Sequence, residues 1–221
     1  MTHLDNELER LKNEIGEMGA LIRNQLKKSV DSLTSAKIDL AREVLFQERR
    51  VNAEELKIDR DCENIMALFN PVAIDLRLVF AAFKINSHLE RIGDHAKGIA
   101  FYAAHLDKPY NSKLLADLEL DRMVNEIDAM IENNMSAFQL ADTSEARQIF
   151  MKDDVLDQWN NNSISIIGSY IQEHTDEVPA LLNLASVVRK LERIGDLNKN
   201  IAEEIIFYVE ANVLKHEKEK I

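Results

Sequence analysis

Leu89-Glu90-Arg91-Ile92-Gly93-Asp94 returns letter for letter as Leu191-Glu192-Arg193-Ile194-Gly195-Asp196, 102 residues further on. The agreement continues through Lys97 with Lys199, Ile99 with Ile201 and Ala100 with Ala202, so nine of the twelve positions from 89 to 100 match. Six identical residues in register point to an internal duplication. Around the first copy, Ile85, Leu89, Ile92, Ala96 and Ile99 recur at steps of three and four, which places the motif on an amphipathic helix.

Working outward, Leu4, Leu8, Leu11, Ile15, Met18, Ile22, Leu26, Val30 and Leu33 form one apolar stripe and predict a helix over about residues 3–34. A second stripe (Ile38, Ala41, Leu45, Val51, Ile58, Cys62, Ile65, Phe69) runs to Asn70-Pro71, where the proline disfavours helix at the residue before it. The third opens after Pro71, a residue tolerated in a first turn, and carries the first motif as far as Asp107-Lys108-Pro109. Beyond that break come stripes over Leu114 to Leu140, Ala146 to Ile171, and from Pro179 to about Leu214, the last carrying the second motif. The expected fold is therefore all-α. Two tandem three-helix bundles, residues 1–108 and 109–221, follow from the duplication, because three helices close round a core better than two.

Composition agrees with long helices. Six glycines and three prolines in 221 residues fall far below the usual share of about 12%, too few for a fold of many short strands. The chain is 46% hydrophobic and 30% charged, with a mean hydropathy of -0.26, enough apolar material for a sizeable core. A formal charge of -12 lacks the basic footprint that nucleic acid demands and suits metal ions or basic protein surfaces better. The longest apolar run, Leu78 to Phe83, is six residues against the ~18 or more of a spanning helix, so membrane contact is expected only through partners. The single cysteine, Cys62, and the polar start of the chain suggest a reducing, cytoplasmic setting.

Within each motif two carboxylates stand one helical turn apart, Glu90 with Asp94 and Glu192 with Asp196. Matching pairs at the same spacing, Glu55 with Asp59 and Asp153 with Asp157, fall on the helix before each motif. Each half thus offers four carboxylates on two consecutive helices. Hard cations with oxygen ligands would relieve their repulsion. The plainer alternative is a solvated acidic face: Glu90 and Asp94 project away from the apolar seam, and Lys97 and Lys199 stand three residues beyond Asp94 and Asp196, ready to pair with them. Gly93 and Gly195 favour the metal reading, because a mid-helix glycine costs about 1 kcal/mol and implies a close approach or ligand access.

Other residues carry less. No histidine follows a glutamate by three, so the Glu-x-x-His spacing of di-iron bundles is missing. His88 and His95 share a face near Asp94 and read as surface residues, Leu197 standing where the second copy would repeat His95. Cys62, Met123, Met130 and Met135 read as core, Tyr102 and Tyr110 as packing or interface residues, and His216 to Lys220 as a fraying end. No phosphate-binding glycine loop and no Ser/His/Asp or Cys/His set occurs.

The stretch Pro71-Val72-Ala73-Ile74-Asp75-Leu76-Arg77, followed by the two copies of the motif, closely resembles the PhoU family of phosphate-regulation proteins over nearly the whole chain. The resemblance implies surface multinuclear metal sites at the acidic pairs: one from Glu55, Asp59, Glu90 and Asp94, the other from Asp153, Asp157, Glu192 and Asp196. It implies no catalysis. It also implies a cytoplasmic, commonly dimeric regulator that contacts the phosphate ABC importer, through its ATPase subunit, and a sensor histidine kinase when phosphate is plentiful. The second half has no Asp-Leu-Arg counterpart, so the two sites need not be equivalent.

Three functions follow from these readings. The leading one is a non-enzymatic adaptor whose metal-loaded or apolar faces dock on membrane-bound partners; iron, zinc, manganese and magnesium all suit such ligands. Asp75 and Arg77 would belong to a partner contact or, in the simpler reading, merely pair locally. The second is a carboxylate-bridged metal store or oxidase. The third is a helical scaffold whose acidic pairs are solvated surface.

Overall fold

The computed structural model describes residues 2–214. No strand occurs among them, and the helices follow the apolar stripes. α1 spans His3–Thr34 and opens on a reciprocal cap, the Thr2 hydroxyl accepting from the Asp5 amide and the Asp5 carboxylate from the Thr2 amide. α2 spans Ile38–Phe69 and stops at Asn70, whose left-handed backbone a short polar side chain tolerates. α3, Ile74–Ala104, begins three residues beyond Pro71, so that proline lies in the connecting turn instead of the first helical turn. Pro179, by contrast, does sit in the first turn of the last long helix, α7 (Val178–Glu210), which ends four residues short of Leu214.

The stripe over Leu114 to Leu140 is not one helix. It divides into α4, Ser112–Asp117, and α5, Leu120–Leu140, with Glu119 left-handed between them. Leu118 and Leu120 are both buried; in an unbroken helix two residues so spaced would point to opposite faces. The turn at Glu119 resets the phase and lets both reach the core. α6, Thr143–Glu173, and a short 3₁₀ turn at Thr175–Glu177 complete the described chain.

α1, α2 and α3 pack against one another, and α5, α6 and α7 do the same, giving the two three-helix bundles. They lie side by side: α3, the motif helix of the first, packs along α7, the motif helix of the second, while α1 meets α5. Polar contacts tie the seam. Arg23 of α1 makes a two-pronged pair with Asp128 of α5 at 2.7 and 2.9 Å, and Lys84 of α3 reaches the buried Glu204 of α7 at 2.9 Å. Arg77 does not pair with Asp75; its Nε donates to the Tyr208 carbonyl near the end of α7 at 3.0 Å. Tyr110 is buried, its hydroxyl donating to the Ala180 carbonyl at 2.9 Å, and Cys62 lies in the core, where burial pushes its thiol up to about 12. Met123 and Met130 are likewise core, and Met135 packs at its edge over Gly19. No described helix is long and apolar enough to cross a membrane. His216 to Lys220 lie outside the described residues.

Candidate functional site

The two glycines of the repeated motif mark where α3 and α7 approach their neighbours. A Cβ on Gly93 would lie 2.9 Å from Ile22 Cδ1 of α1 and 3.2 Å from Val51 Cγ1 of α2. One on Gly195 would overlap Leu156 Cδ1 of α6 and lie 3.3 Å from Asp153 Oδ1. The glycines therefore answer a packing demand, and in meeting it they draw the acidic residues of neighbouring helices together.

In the first bundle, Glu90 and Asp94 of α3 converge with Glu48 of α2, each presenting a carboxylate oxygen within 4.8 Å of the others. Oxygens so spaced can surround one hard cation at bond lengths of roughly 2.0–2.6 Å. Glu48 is almost fully buried, its Oε2 accepting from the Gln25 amide at 2.8 Å. Lys97 Nζ lies 3.1 Å from Asp94 Oδ1 and 3.7 Å from Glu48 Oε1, supplying part of the positive charge that the cluster calls for. Burial raises Glu48 above the usual carboxylate range, against the hydrogen bond from Gln25. Glu90 is raised by burial first and then by the charges of Asp94, Glu55 and Glu48. α2 covers part of the edge of α3 on which the pair lies: Glu90 is half-buried, whereas Asp94 stays exposed.

Glu55 stands further along α2, raised by burial and then by Asp59 and Asp94, so it borders the cluster. Asp59 is turned to Asn86 of α3, whose side-chain amide donates to it at 2.8 Å and to the Glu55 carbonyl at 2.9 Å.

The second bundle is built alike but not identically. Asp153 of α6 is buried and accepts from Lys199 Nζ at 2.9 Å, yet burial outweighs that partner and raises its carboxyl. Burial also raises Glu192 and Asp196, with Asp196 and Asp157 respectively as the next causes, so all four expected residues share one electrostatic neighbourhood. Among the described residues, the group whose oxygens meet the spacing for a single cation is the first one.

The structure also corrects the correspondence between the halves. Matching Glu55-Asp59 to Asp153-Asp157 by spacing places α2 and α6 two turns out of register. The buried seam of α2 runs Ala41, Val44, Glu48, Val51, Ile58, Cys62, and that of α6 runs Ala146, Ile149, Asp153, Leu156, Ser163, Ile167. These series superpose with Glu48 on Asp153 and with Val51 and Leu156 against the two glycines. Lys97 and Lys199 then occupy equivalent places beside Glu48 and Asp153. The apolar stripe through Leu45 hides Glu48, because Leu45 is only half-buried and the buried residue is Val44. An acid three residues before Val51 and four after Val44 was the available signal.

What these features define is an internally duplicated helical protein that carries a carboxylate-rich groove in each half, the first with oxygens spaced for a single cation. A PhoU domain matches residues 15–103 and again residues 120–205. The phosphate-specific transport system accessory protein PhoU of Edwardsiella tarda is 34% identical over 210 residues, which is 95% of this chain and 86% of that protein. The protein of the same name from Escherichia coli is 32% identical over the same shares. The crystal structure of PhoU from Pseudomonas aeruginosa superposes with a TM-score of 0.88 at 29% identity, over 95% of this chain and all of that one. The phosphate transport system regulatory protein PhoU from Streptococcus pneumoniae does so at 0.84 and 25% identity, covering 96% and 99%. The chain belongs to the PhoU family.

Proposed function

We propose that this chain is a non-catalytic cytoplasmic regulator of phosphate uptake and phosphate-starvation signalling. It acts as an adaptor between the ATPase subunit of a phosphate ABC importer and a sensor histidine kinase. The support is the pair of PhoU domains along most of the chain, in a family whose relatives are named as accessory proteins of the phosphate transport system. Residues 1–108 and 109–221 are its two repeats, and the working form is a homodimer. Metal, from among iron, zinc, manganese and magnesium, binds the acidic grooves: Glu48, Glu90 and Asp94 with Glu55 and Asp59 at their border in one, and Asp153, Asp157, Glu192 and Asp196 in the other. The convergence of Glu48, Glu90 and Asp94 supports the first of these. A bound cation would turn a repulsive surface into one that meets acidic groups on a partner. Asp75 and Arg77, at the edge where α3 begins beside the end of α7, belong to a partner surface in this reading.

The test is a pulldown from cells grown in high and low phosphate, with the ATPase subunit and the kinase as prey. Enrichment of both in high phosphate is expected. Recovery of neither under either condition would sink the adaptor reading.

A further inference from the structure

The packing of α3 along α7 brings together two residues that the sequence keeps 102 apart. Arg91 and Arg193 hold the same position in the two copies of the motif, and both line one cleft of about 410 Å³ between these helices, with His95 and Asn200 in its walls. Lys190 stands beside it, its side chain lying over Gly98. The positive charges crowd one another: after burial, Lys190, Arg91 and Arg193 all act to keep His95 neutral, opposed by Asp94.

These cations are not consumed by the fold. Among the described residues no carboxylate lies within ion-pair distance of Arg91 or Lys190, and Arg193 has only a 3.9 Å approach to its neighbour Glu192. In a chain of net charge -12, three cations on one concave surface, two of them without an ion pair and the third with a single long one, are a poor use of charge unless something negative joins them. Asp196 also lines the cleft, and its charge acts on Arg193 and on Lys199 without coming within ion-pair distance of either.

We propose that this cleft binds a phosphate group, gripped from both sides by Arg91 and Arg193. Guanidinium forks match the oxygen spacing of a phosphate and can each donate two hydrogen bonds, where an ammonium offers a point charge. Lys190 adds charge, and the Asn200 amide offers a neutral donor. The volume falls in the range of small-molecule sites, larger than one phosphate needs. Around His95 and Lys190 a second recess of about 500 Å³ continues, lined by Leu45, Phe101 and Tyr102, and Phe101 is 53% exposed within it. An apolar or aromatic extension carried by a phosphate monoester fits that recess, whereas free phosphate occupies the arginine cleft alone. The inference stands on the cleft and holds whether or not the adaptor reading does.

Equilibrium dialysis of the full chain in chelator, against inorganic phosphate and against adenosine monophosphate, tests it, because chelation removes any phosphate bridged through metal in the acidic grooves. Saturable binding of at least one of the two is expected. It should weaken by roughly tenfold to a hundredfold in the Arg91→Gln, Arg193→Gln double variant, as loss of charge-assisted hydrogen bonds implies. The Arg91→Lys, Arg193→Lys double variant should be intermediate. Tighter binding of the nucleotide would identify a phosphate monoester as the ligand, and equal or tighter binding of inorganic phosphate would identify the free ion. Binding of neither, or binding that the double glutamine variant leaves unchanged while its thermal unfolding matches the parent, would overturn the proposal.

Discussion

The two acidic grooves share the same six-residue motif on one helix and differ on the helix that faces it. In the first, α2 contributes a long glutamate at the buried position, Glu48, with Glu55 two turns further along and Asn86 opposite Asp59. In the second, α6 contributes the shorter Asp153, held by Lys199, and adds Asp157 one turn later. Identical letters on α3 and α7 therefore do not make identical sites. A cation site is a property of two helices, and duplication copied one of them more faithfully than the other.

The sharpest way to break this comparison is to remove the residues that each alignment would make essential. If Glu48 is a ligand of the first groove, Glu48→Gln should weaken metal binding there by at least the roughly hundredfold seen at the upper end for outer-shell partners. Asp153→Asn should act in the same way on the second groove, while Asp59→Asn, which removes a carboxylate turned to Asn86, should do much less. Mass-spectrometric metal content of each variant, set beside a Glu90→Ala, Asp94→Ala, Glu192→Ala, Asp196→Ala quadruple variant, checks the order. Equal losses from Glu48→Gln and Asp59→Asn would restore the register read from spacing alone. A parent protein that holds no metal would return all these residues to structural roles.

The glycines offer a second contrast, in stability. Gly93→Val and Gly195→Val both force bulk into closed space, and overpacking of this kind costs about 1–3 kcal/mol. The larger cost should fall on Gly195, since its new atoms meet Leu156 and then the Asp153 oxygen, which cannot yield without disturbing the pair with Lys199. Around Gly93 the nearest atoms are side-chain ends of Ile22 and Val51, with the Gln25 Oε1 at 3.3 Å. Gly16 and Gly168 have open space and serve as controls; alanine there should stabilise by up to about 1 kcal/mol. Urea unfolding measures all four, and a larger penalty at Gly93 than at Gly195 would contradict the packing described.

How much of this was legible in the sequence depended on whether one helix or two carried the information. Periodicity placed α1, α2 and α7 closely, because each is a single uninterrupted amphipathic pattern. It ran straight through Leu118-Glu119-Leu120, where a left-handed glutamate, a conformation without a strong sequence signal, divides the pattern. The motif and its glycines were plain. Their partners were not: Glu48 required knowing that Val44 and not Leu45 faces the core, and the meeting of Arg91 with Arg193 required knowing that α3 packs on α7.

The smallest expected effect separates the grooves by pH. Glu48, Glu55 and Glu90 on one side, and Asp153, Glu192 and Asp196 on the other, all have carboxyls raised in the folded chain, with burial the first cause. A carboxyl raised on folding binds protons more readily in the folded state, so stability falls as pH climbs from its ordinary value to its raised one and is fully recovered only below the ordinary value. With six raised carboxyls against one lowered histidine, the metal-free protein should melt higher near pH 5 than near pH 8, with exposed groups contributing little because water screens them. The opposite sign comes from His95, which burial and then Lys190 and Arg91 keep neutral, so that stability is lost as pH falls below its ordinary value of 6.5, and lower still from Asp128, held down by Arg23, whose protonation weakens the link between α1 and α5. Added metal should invert the slope above pH 5, since ligands must lose protons to bind. Because three carboxylates converge in the first groove while Lys199 compensates Asp153 in the second, Glu48→Gln with Glu90→Gln should flatten the metal-free slope more than Asp153→Asn with Asp196→Asn. If both pairs flattened it equally, the two grooves would be electrostatic equals, and the difference between them would reduce to side-chain length.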